Sequence, residues 1–555
     1  MVVALVILGV VIILFAKGIY DQKKITKKLF SKVDYEYGKI PDKTVSPEKA
    51  KALKYFFSEH STPYDIDDIT WNDLNMDNVY NLINACRSAY GEEYLYSMLR
   101  SPEMSEEKLK ERGRLINVFS KDRKLRNDLS TQFAYMGIMK KISVFEYMGS
   151  LKNAALEGAS IHLFLDFLFA LSVAYIFINP PLGITGTIIM LFVNIFSYFK
   201  YKTKVDNYFV IIGFIIRSLD SAKKFTTTTA NEEIKTYIER LKVCIKAFSG
   251  MRHGAWLVSS SGVNTSDLSQ IMLDYLRMMF HLDLIKFNLM YRTFLNKEKE
   301  FYEIFETIGL LDSMIAVASF RELMGRNCEP VFSSDKKIDS DGMFHPLVED
   351  PVPSSFSSDM SVLLTGSNAS GKSTFLKTVA INQILSQTIY TALAKSYKTT
   401  FFNVMSSMAL KDDIIGGQSY YIVEIRSLKR IIERMNEDVP ALVFIDEVLK
   451  GTNTLERIAA SSRILLSLAT SKSLCFAATH DIELTFILEN YYKNFHFEEQ
   501  VSENEVIFDY KLRDGRAVTR NAIKLLSILG YPDEIIENAT EMAQNYLQTN
   551  EWKVY

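Results

Sequence analysis

The stretch Gly366-Ser367-Asn368-Ala369-Ser370-Gly371-Lys372-Ser373 admits few local folds. It follows the apolar run Val362-Leu363-Leu364-Thr365 and leads into Thr374-Phe375-Leu376-Lys377-Thr378-Val379-Ala380, a helical stretch. A buried strand that stops in small residues, with a helix after it, curls backbone N–H groups around one point and aims the positive end of the helix dipole at it. This spacing predicts a P-loop in an α/β domain. Lys372 is placed to neutralise β- and γ-phosphates, and the Ser373 hydroxyl to ligate Mg2+. The candidate nucleotide-binding residues are therefore Gly366, Ser367, Asn368, Ala369, Ser370, Gly371, Lys372, Ser373 and Thr374.

Further along, Ala441-Leu442-Val443-Phe444-Ile445 is another buried-strand run and ends in Asp446-Glu447. A strand that delivers two carboxylates to a phosphate site supplies what hydrolysis still lacks: Asp446 holds Mg2+ through its water shell, and Glu447 orients or polarises the attacking water. A third run, Ser473-Leu474-Cys475-Phe476-Ala477-Ala478, leads into Thr479-His480-Asp481. Its position places the His480 imidazole where it can sense the γ-phosphate. Between the loop and the acidic strand lies Gly416-Gly417-Gln418-Ser419, ahead of Tyr420-Tyr421-Ile422-Val423-Glu424. Its N–H and hydroxyl groups can be presented to a second subunit's nucleotide, with Ser419 completing the site in trans; a surface turn before a helix is the plainer alternative.

Taken together, 366–374, Gly417-Gln418-Ser419 with Glu424, Asp446-Glu447 followed by Gly451-Thr452-Asn453-Thr454, and Thr479-His480 resemble the ATPase domain of the MutS mismatch-repair family, part of the wider ABC class. Gly-Thr-Asn-Thr after the acidic pair separates it from ABC transporters. His345-Pro346-Leu347-Val348 resembles the start of that domain, and Phe508-Asp509-Tyr510-Lys511-Leu512 with Leu529-Gly530-Tyr531-Pro532 resembles its end. The resemblance implies ATP and Mg2+ as cofactors, a homodimer through the ATPase domain, and an all-α core and lever region ahead of it, to which 67–118 and Leu310–Ala316 are similar. Family members that read mismatches carry an N-terminal Phe-x-Glu wedge. Phe301-Tyr302-Glu303 has those letters but lies within a helical run.

A chain of 555 residues suggests more than one globular unit, and 48% apolar against 23% charged residues means that some apolar surface meets something other than water. A net charge of −2 excludes a uniformly basic nucleic-acid binder and leaves local patches open. Four cysteines without CxxC spacing indicate neither a zinc site nor a disulfide frame.

Val2–Ala16 is continuously apolar and is followed by Lys17, Lys23, Lys24, Lys27 and Lys28, which reads as a retained anchor with its N-terminus outside. Ile161–Ile178 and Leu182–Phe199, joined by Asn179-Pro180-Pro181 and followed by Lys200, Lys202 and Lys204, read as a transmembrane hairpin whose ends face the cytoplasm, with Asp166 at a hydrated interface. The charges Asp274, Arg277, Asp283 and Lys286 rule out 271–291 as a span.

The expected organisation is an anchor at 1–20, a basic juxtamembrane linker at 21–60, helical core at 61–150, the transmembrane hairpin within 151–204, a second helical part at 205–330 and the ATPase domain at 331–555. The leading functional expectation is an ATP-dependent dimeric clamp on the cytoplasmic face of the membrane, acting on mismatched or branched DNA. A mechanochemical or scaffold ATPase with a protein or membrane partner is the alternative, and an ABC-type transporter the third.

Overall fold

The computed structural model describes residues 20, 23–43, 45–139, 141–153, 158–228, 231–252, 254–259, 268–367, 370–408, 420–435, 438–450, 452–501, 506–517, 523, 526, 530–549 and 551–554. The expected anchor lies outside them except for Tyr20, and the Gly416–Ser419 segment lies outside them entirely. The chain divides into two compact units. The first takes residues up to Ser61, Asn81–Ser97 and Arg114–Leu323; the second takes Thr62–Tyr80, Met98–Gly113 and everything from Met324 onward. The α/β unit thus begins near the expected boundary and also recruits two earlier segments.

The described elements of the first unit are helical. The stretch expected as a basic linker contains helix at 23–36 and again at Pro47–Glu59. Ser46 caps the second of these, accepting from Lys49 N, and Ala52, Leu53 and Phe56 form its buried stripe. Ser160–Tyr175 and Pro180–Thr228 form the expected apolar hairpin, but the second helix does not stop at Phe199. It runs for 49 residues, about 73 Å. Its first part exposes Phe192, Phe196 and Phe199, while Ile211, Phe214, Ile215 and Leu219 farther along are buried. Asp166 faces the buried ring of His281, with Oδ1 3.6 Å from Nδ1. His281, at φ 46°, separates helices Leu268–Phe280 and Leu282–Asn296. Phe301 is a buried residue of helix Glu298–Met324, as its helical setting implied.

The second unit is built on a six-stranded sheet. Its strands are β1 (Ser361–Thr365), β2 (Asn403–Ser407), β3 (Ala441–Asp446), β4 (Ser473–Ala478), β5 (Tyr492–His496) and β6 (Arg513–Asp514), in spatial order β6-β5-β1-β4-β3-β2. All neighbours pair in parallel except β6, which is antiparallel to β5. Strands β1 and β4 are buried along their whole length, which is why they read as unbroken apolar runs or nearly so rather than as alternating ones; β2 is equally buried but carries Asn403, Ser406 and Ser407. Helices α1 (Lys372–Ile389), α2 (Tyr420–Arg434) and α3 (Thr454–Thr470) return the chain between strands. Leu363, Met405, Val443, Leu428, Leu465 and Leu468 belong to the core that the sheet shares with α2 and α3.

Helix α1 packs on β3 and β4 and also on Ile338–Met343 of a second, four-stranded sheet, which explains why it is buried almost all round. The edge of the large sheet at β2 is covered by helix Asp68–Asp73. Thr70 Oγ1 accepts Ser406 N at 3.0 Å, and Asp73 Oδ2 accepts Ser406 Oγ at 2.7 Å and Met408 N at 2.9 Å.

Candidate functional site

Strand β4 lies between β1 and β3, so the segments that follow these three strands emerge side by side. After β1, Gly366 takes φ 144° and Gly371 φ 107°, and α1 begins at Lys372. A Cβ on Gly366 would sit 2.8 Å from Phe497 O, so the turn both needs glycine's backbone freedom and lacks room for a side chain. Asn368 and Ala369 lie outside the described residues. Lys372 folds back over the loop and donates to Gly366 O at 2.8 Å and Ser367 O at 2.7 Å. Burial lowers its ammonium from the ordinary lysine value, while Asp446, Glu447 and Glu499 act in the opposite sense. Ser367 Oγ lies 2.5 Å from Glu499 Oε2.

At the end of β3, Glu447 adopts φ 61° and its N–H donates to Ala478 O at 3.0 Å. A left-handed glutamate next to the loop is backbone strain of the kind that persists where surrounding contacts enforce it. Its carboxylate is held on both sides: His480 Nε2 lies 3.0 Å from Oε1, and Lys450 Nζ 2.6 Å from Oε2. Burial works to raise the Glu447 carboxyl, but Lys450 and His480 outweigh it and hold it below the ordinary glutamate value. It is therefore ionised near neutral pH, the form a base or water-orienting group requires.

The carrier of His480 is fixed as well. Thr479 N donates to Leu364 O at 2.9 Å, and Thr479 Oγ1 accepts Asp481 N at 3.0 Å. Asp481 receives both Arg457 Nε at 2.9 Å and Arg457 Nη2 at 2.6 Å from α3, whose N-cap Asn453 accepts Leu455 N.

A cavity of about 540 Å³ opens beside the loop. Its walls include Lys372, Ser373, Thr374 and Glu447 together with Phe344, His345, Val352 and Tyr510. The structure thus brings together the expected Lys372, Ser373, Thr374, Glu447 and His480, with Asp446 acting on Lys372. Ser419 lies outside the described residues. Residues not singled out for the site are Lys450, Glu499 and the apolar wall. The wall comes from the two segments, around His345 and Tyr510, that had marked only the ends of the domain.

A glycine-cradled helix start, a carboxylate–imidazole contact and an adjoining cavity thus lie together at the ends of β1, β3 and β4 in a largely parallel α/β sheet. Residues 362–547 match the family model for MutS domain V. The chain is 31% identical over 253 residues to the DNA mismatch repair protein MutS of Pseudothermotoga lettingae, covering 43% of this chain and 31% of that protein. It is 29% identical over 266 residues to MutS of Thermotoga maritima, 46% and 33% of the two chains, and 30% identical over 273 residues to MutS of Leptospira interrogans, 46% and 32%. The similarity to the MutS family lies in this domain, and the match spans about a third of the length of these curated relatives.

Proposed function

We propose that this protein is a membrane-bound MutS-like ATPase of P-loop architecture that couples ATP hydrolysis in a dimer to engagement of DNA. The observation that carries the ATPase reading is the Glu447 carboxylate, ionised and clamped between His480 and Lys450 where the β1 loop and Lys372 meet the cavity. Lys372 gives up its two carbonyl partners to the β- and γ-phosphates, and Glu447 orients the attacking water. Ser373 and Asp446 would hold Mg2+ through their side-chain oxygens, and the ion would neutralise charge on the phosphates. The cavity wall of Phe344, His345, Val352 and Tyr510 suits the planar base and ribose. Ser419 of a partner copy closes the site over the γ-phosphate, so ATP tightens the dimer.

The membrane reading is supported by the hairpin. Pro180–Thr227 is long and apolar enough to cross a bilayer, and only 17% of its most apolar window is buried. With both ends of the hairpin cytoplasmic, the ATPase faces the cytoplasm. The DNA reading is supported by the similarity to DNA mismatch repair proteins. A second reading, in which the helical unit acts on a protein or membrane partner, is favoured by the same exposed hairpin.

The test is magnesium-dependent ATP hydrolysis by the detergent-solubilised full chain, together with capture by the Glu447→Gln variant in ATP. Branched or mismatched duplex retained in a salt-dependent manner supports the DNA reading, and protein without nucleic acid supports the second. Lack of magnesium–nucleotide binding removes both.

A further inference from the structure

Around the hairpin, polar and apolar residues are distributed in reverse of a water-soluble bundle. Where Ser160–Tyr175 and Pro180–Thr228 meet Leu268–Phe280, the buried side chains include His162, Asn194 and His281 beside Phe169 and Tyr198. Asn194 Nδ2 donates to Met279 O at 2.8 Å, and His281 Nε2 lies 3.0 Å from Asn194 O. Just beyond the turn, buried Asp283 receives Tyr198 OH at 3.0 Å and Lys202 Nζ at 2.9 Å. The outward side chains here are Phe164, Phe167, Phe192 and Phe196. Hydrogen-bonded polar groups inside and phenylalanines outside are what a helical assembly shows when its solvent is hydrocarbon.

Helix Leu268–Phe280 continues that outer surface. Ile271, Met272 and Tyr275 share one face, with Met272 68% and Tyr275 61% exposed. Of the charges that argue against a span, Arg277 is 2% exposed, lies 2.8 Å from Asp274 Oδ1 and donates to Trp256 O at 3.2 Å, while the Asp274 side chain stays 58% exposed beside that face. Contacts also give the depth of the helix. The Phe280 ring meets that of Phe169 at 5.6 Å. Phe169 stands nine residues beyond Ser160 on its own helix, about 13 Å of rise into the apolar hairpin. The His281 ring meets that of His162, two residues beyond Ser160, at 5.0 Å, so the C-terminal end of Leu268–Phe280 lies level with the first turns of Ser160–Tyr175.

We propose that Leu268–Phe280 is an interfacial membrane helix whose Ile271, Met272 and Tyr275 face lies against lipid acyl chains, making the bilayer-contacting part of the described residues a three-helix assembly. Thirteen residues rise about 20 Å, short of the roughly 30 Å hydrocarbon core, so the helix enters one leaflet beside the hairpin. The inference rests on the membrane reading of the hairpin. His281 turns the chain directly into Leu282–Asn296, which joins this lipid contact to the helical core of the unit.

The experiment places the photo-crosslinking residue p-benzoyl-phenylalanine singly at Met272, Tyr275, Phe192 and Tyr55 of the full chain, reconstituted in phosphatidylethanolamine–phosphatidylglycerol vesicles. Irradiation is followed by mass spectrometry of the adducts. Phe192, exposed on the hairpin, reports the membrane reading, and Tyr55, exposed on a helix outside the hairpin, is the negative control. Lipid adducts at Met272 and Tyr275 in yields of the same order as at Phe192, with Tyr55 at background, are expected. Adducts at Phe192 but background at Met272 and Tyr275, or crosslinks there to a second copy of the chain, overturn the inference and leave the membrane reading standing. Background at Phe192 as well overturns both.

Discussion

Glu424 accepts the backbone N–H of Leu449 through Oε1, a buried carboxylate on α2 bound to the turn that follows β3. That turn holds Glu447 and Leu449, both in the left-handed region, at φ 61° and 57°. A conformation L-residues rarely adopt persists only if something outside the turn enforces it, and Glu424 is placed to do so. Burial raises the Glu424 carboxyl from its ordinary value, opposed by the backbone donors of Leu449 and Lys450.

Glu424→Ala is therefore expected to lower kcat by about 10²-fold, the cost of a catalytic group misplaced by roughly an ångström, with little change in nucleotide affinity. Glu424→Gln keeps an acceptor for Leu449 N and should recover much of the loss. Steady-state kinetics beside nucleotide binding checks this. Equal losses in affinity and kcat, or no rescue by Gln, would mean that the tether does not act through Glu447.

Replacing the carboxylate itself separates binding from chemistry. Glu447→Gln keeps the size and the contact to His480 Nε2 but removes the negative charge, so hydrolysis should fall by about 10² to 10⁴-fold while ATP remains bound. Lys372→Ala should instead lose tight nucleotide binding, because its ammonium is the cation nearest the loop carbonyls of Gly366 and Ser367. Unchanged turnover in the Glu447 variant removes that residue from the mechanism.

The edge of the large sheet offers a test of structure rather than chemistry. Asp73 Oδ2 accepts both Ser406 Oγ and Met408 N, all buried. Asp73→Ala leaves those donors without an acceptor, at about 1–3 kcal/mol for each group. Amide exchange across Asn403–Met408 should speed up sharply in the variant, while Leu363 in β1 keeps its protection. No change in β2 would show that the helix Asp68–Asp73 merely lies over the edge.

What was legible in the sequence follows from burial. Strands β1, β3 and β4 carry unbroken apolar runs because a parallel sheet is covered on both faces, and the residues after each run converge because β4 lies between the other two. Glu424 could be matched to a family pattern, but its partner could not be read: a tether to a turn 25 residues away leaves no periodic trace. The helices at 23–36 and Pro47–Glu59 were hidden by lysines, whose long stems allow Ala52, Leu53 and Phe56 to be buried on the other face. Phe199 was expected to end a helix because Lys200, Lys202 and Lys204 end a hydrophobic span, but lysine ends a span without ending a helix, and Pro180–Thr228 continues through them.

The first unit carries a titration that can be read without nucleotide. Glu93 is fully buried; its carboxylate accepts Val144 N and Ser143 Oγ, each at 2.7 Å, at the start of helix Val144–Asn153. Burial pushes its carboxyl up to about 7 from 4.5, outweighing Lys49 and these donors. Below about pH 4.5 both folded and unfolded chains carry the proton, so the stabilisation is complete. Between about 4.5 and 7 only the folded chain keeps it, so stability falls as pH rises, by on the order of 3 kcal/mol in all, and levels off above that range. Glu93→Gln, which cannot ionise yet retains an acceptor and a donor, should hold stability near its acidic value and flatten this part of the profile. Thermal midpoints of the full chain and the variant at about pH 5 and about pH 8 measure it. A wild-type chain that is more stable at the higher pH by as much as the variant would show that Glu93 is ionised in the folded protein after all, held by Lys49 and the helix start against the cost of burial.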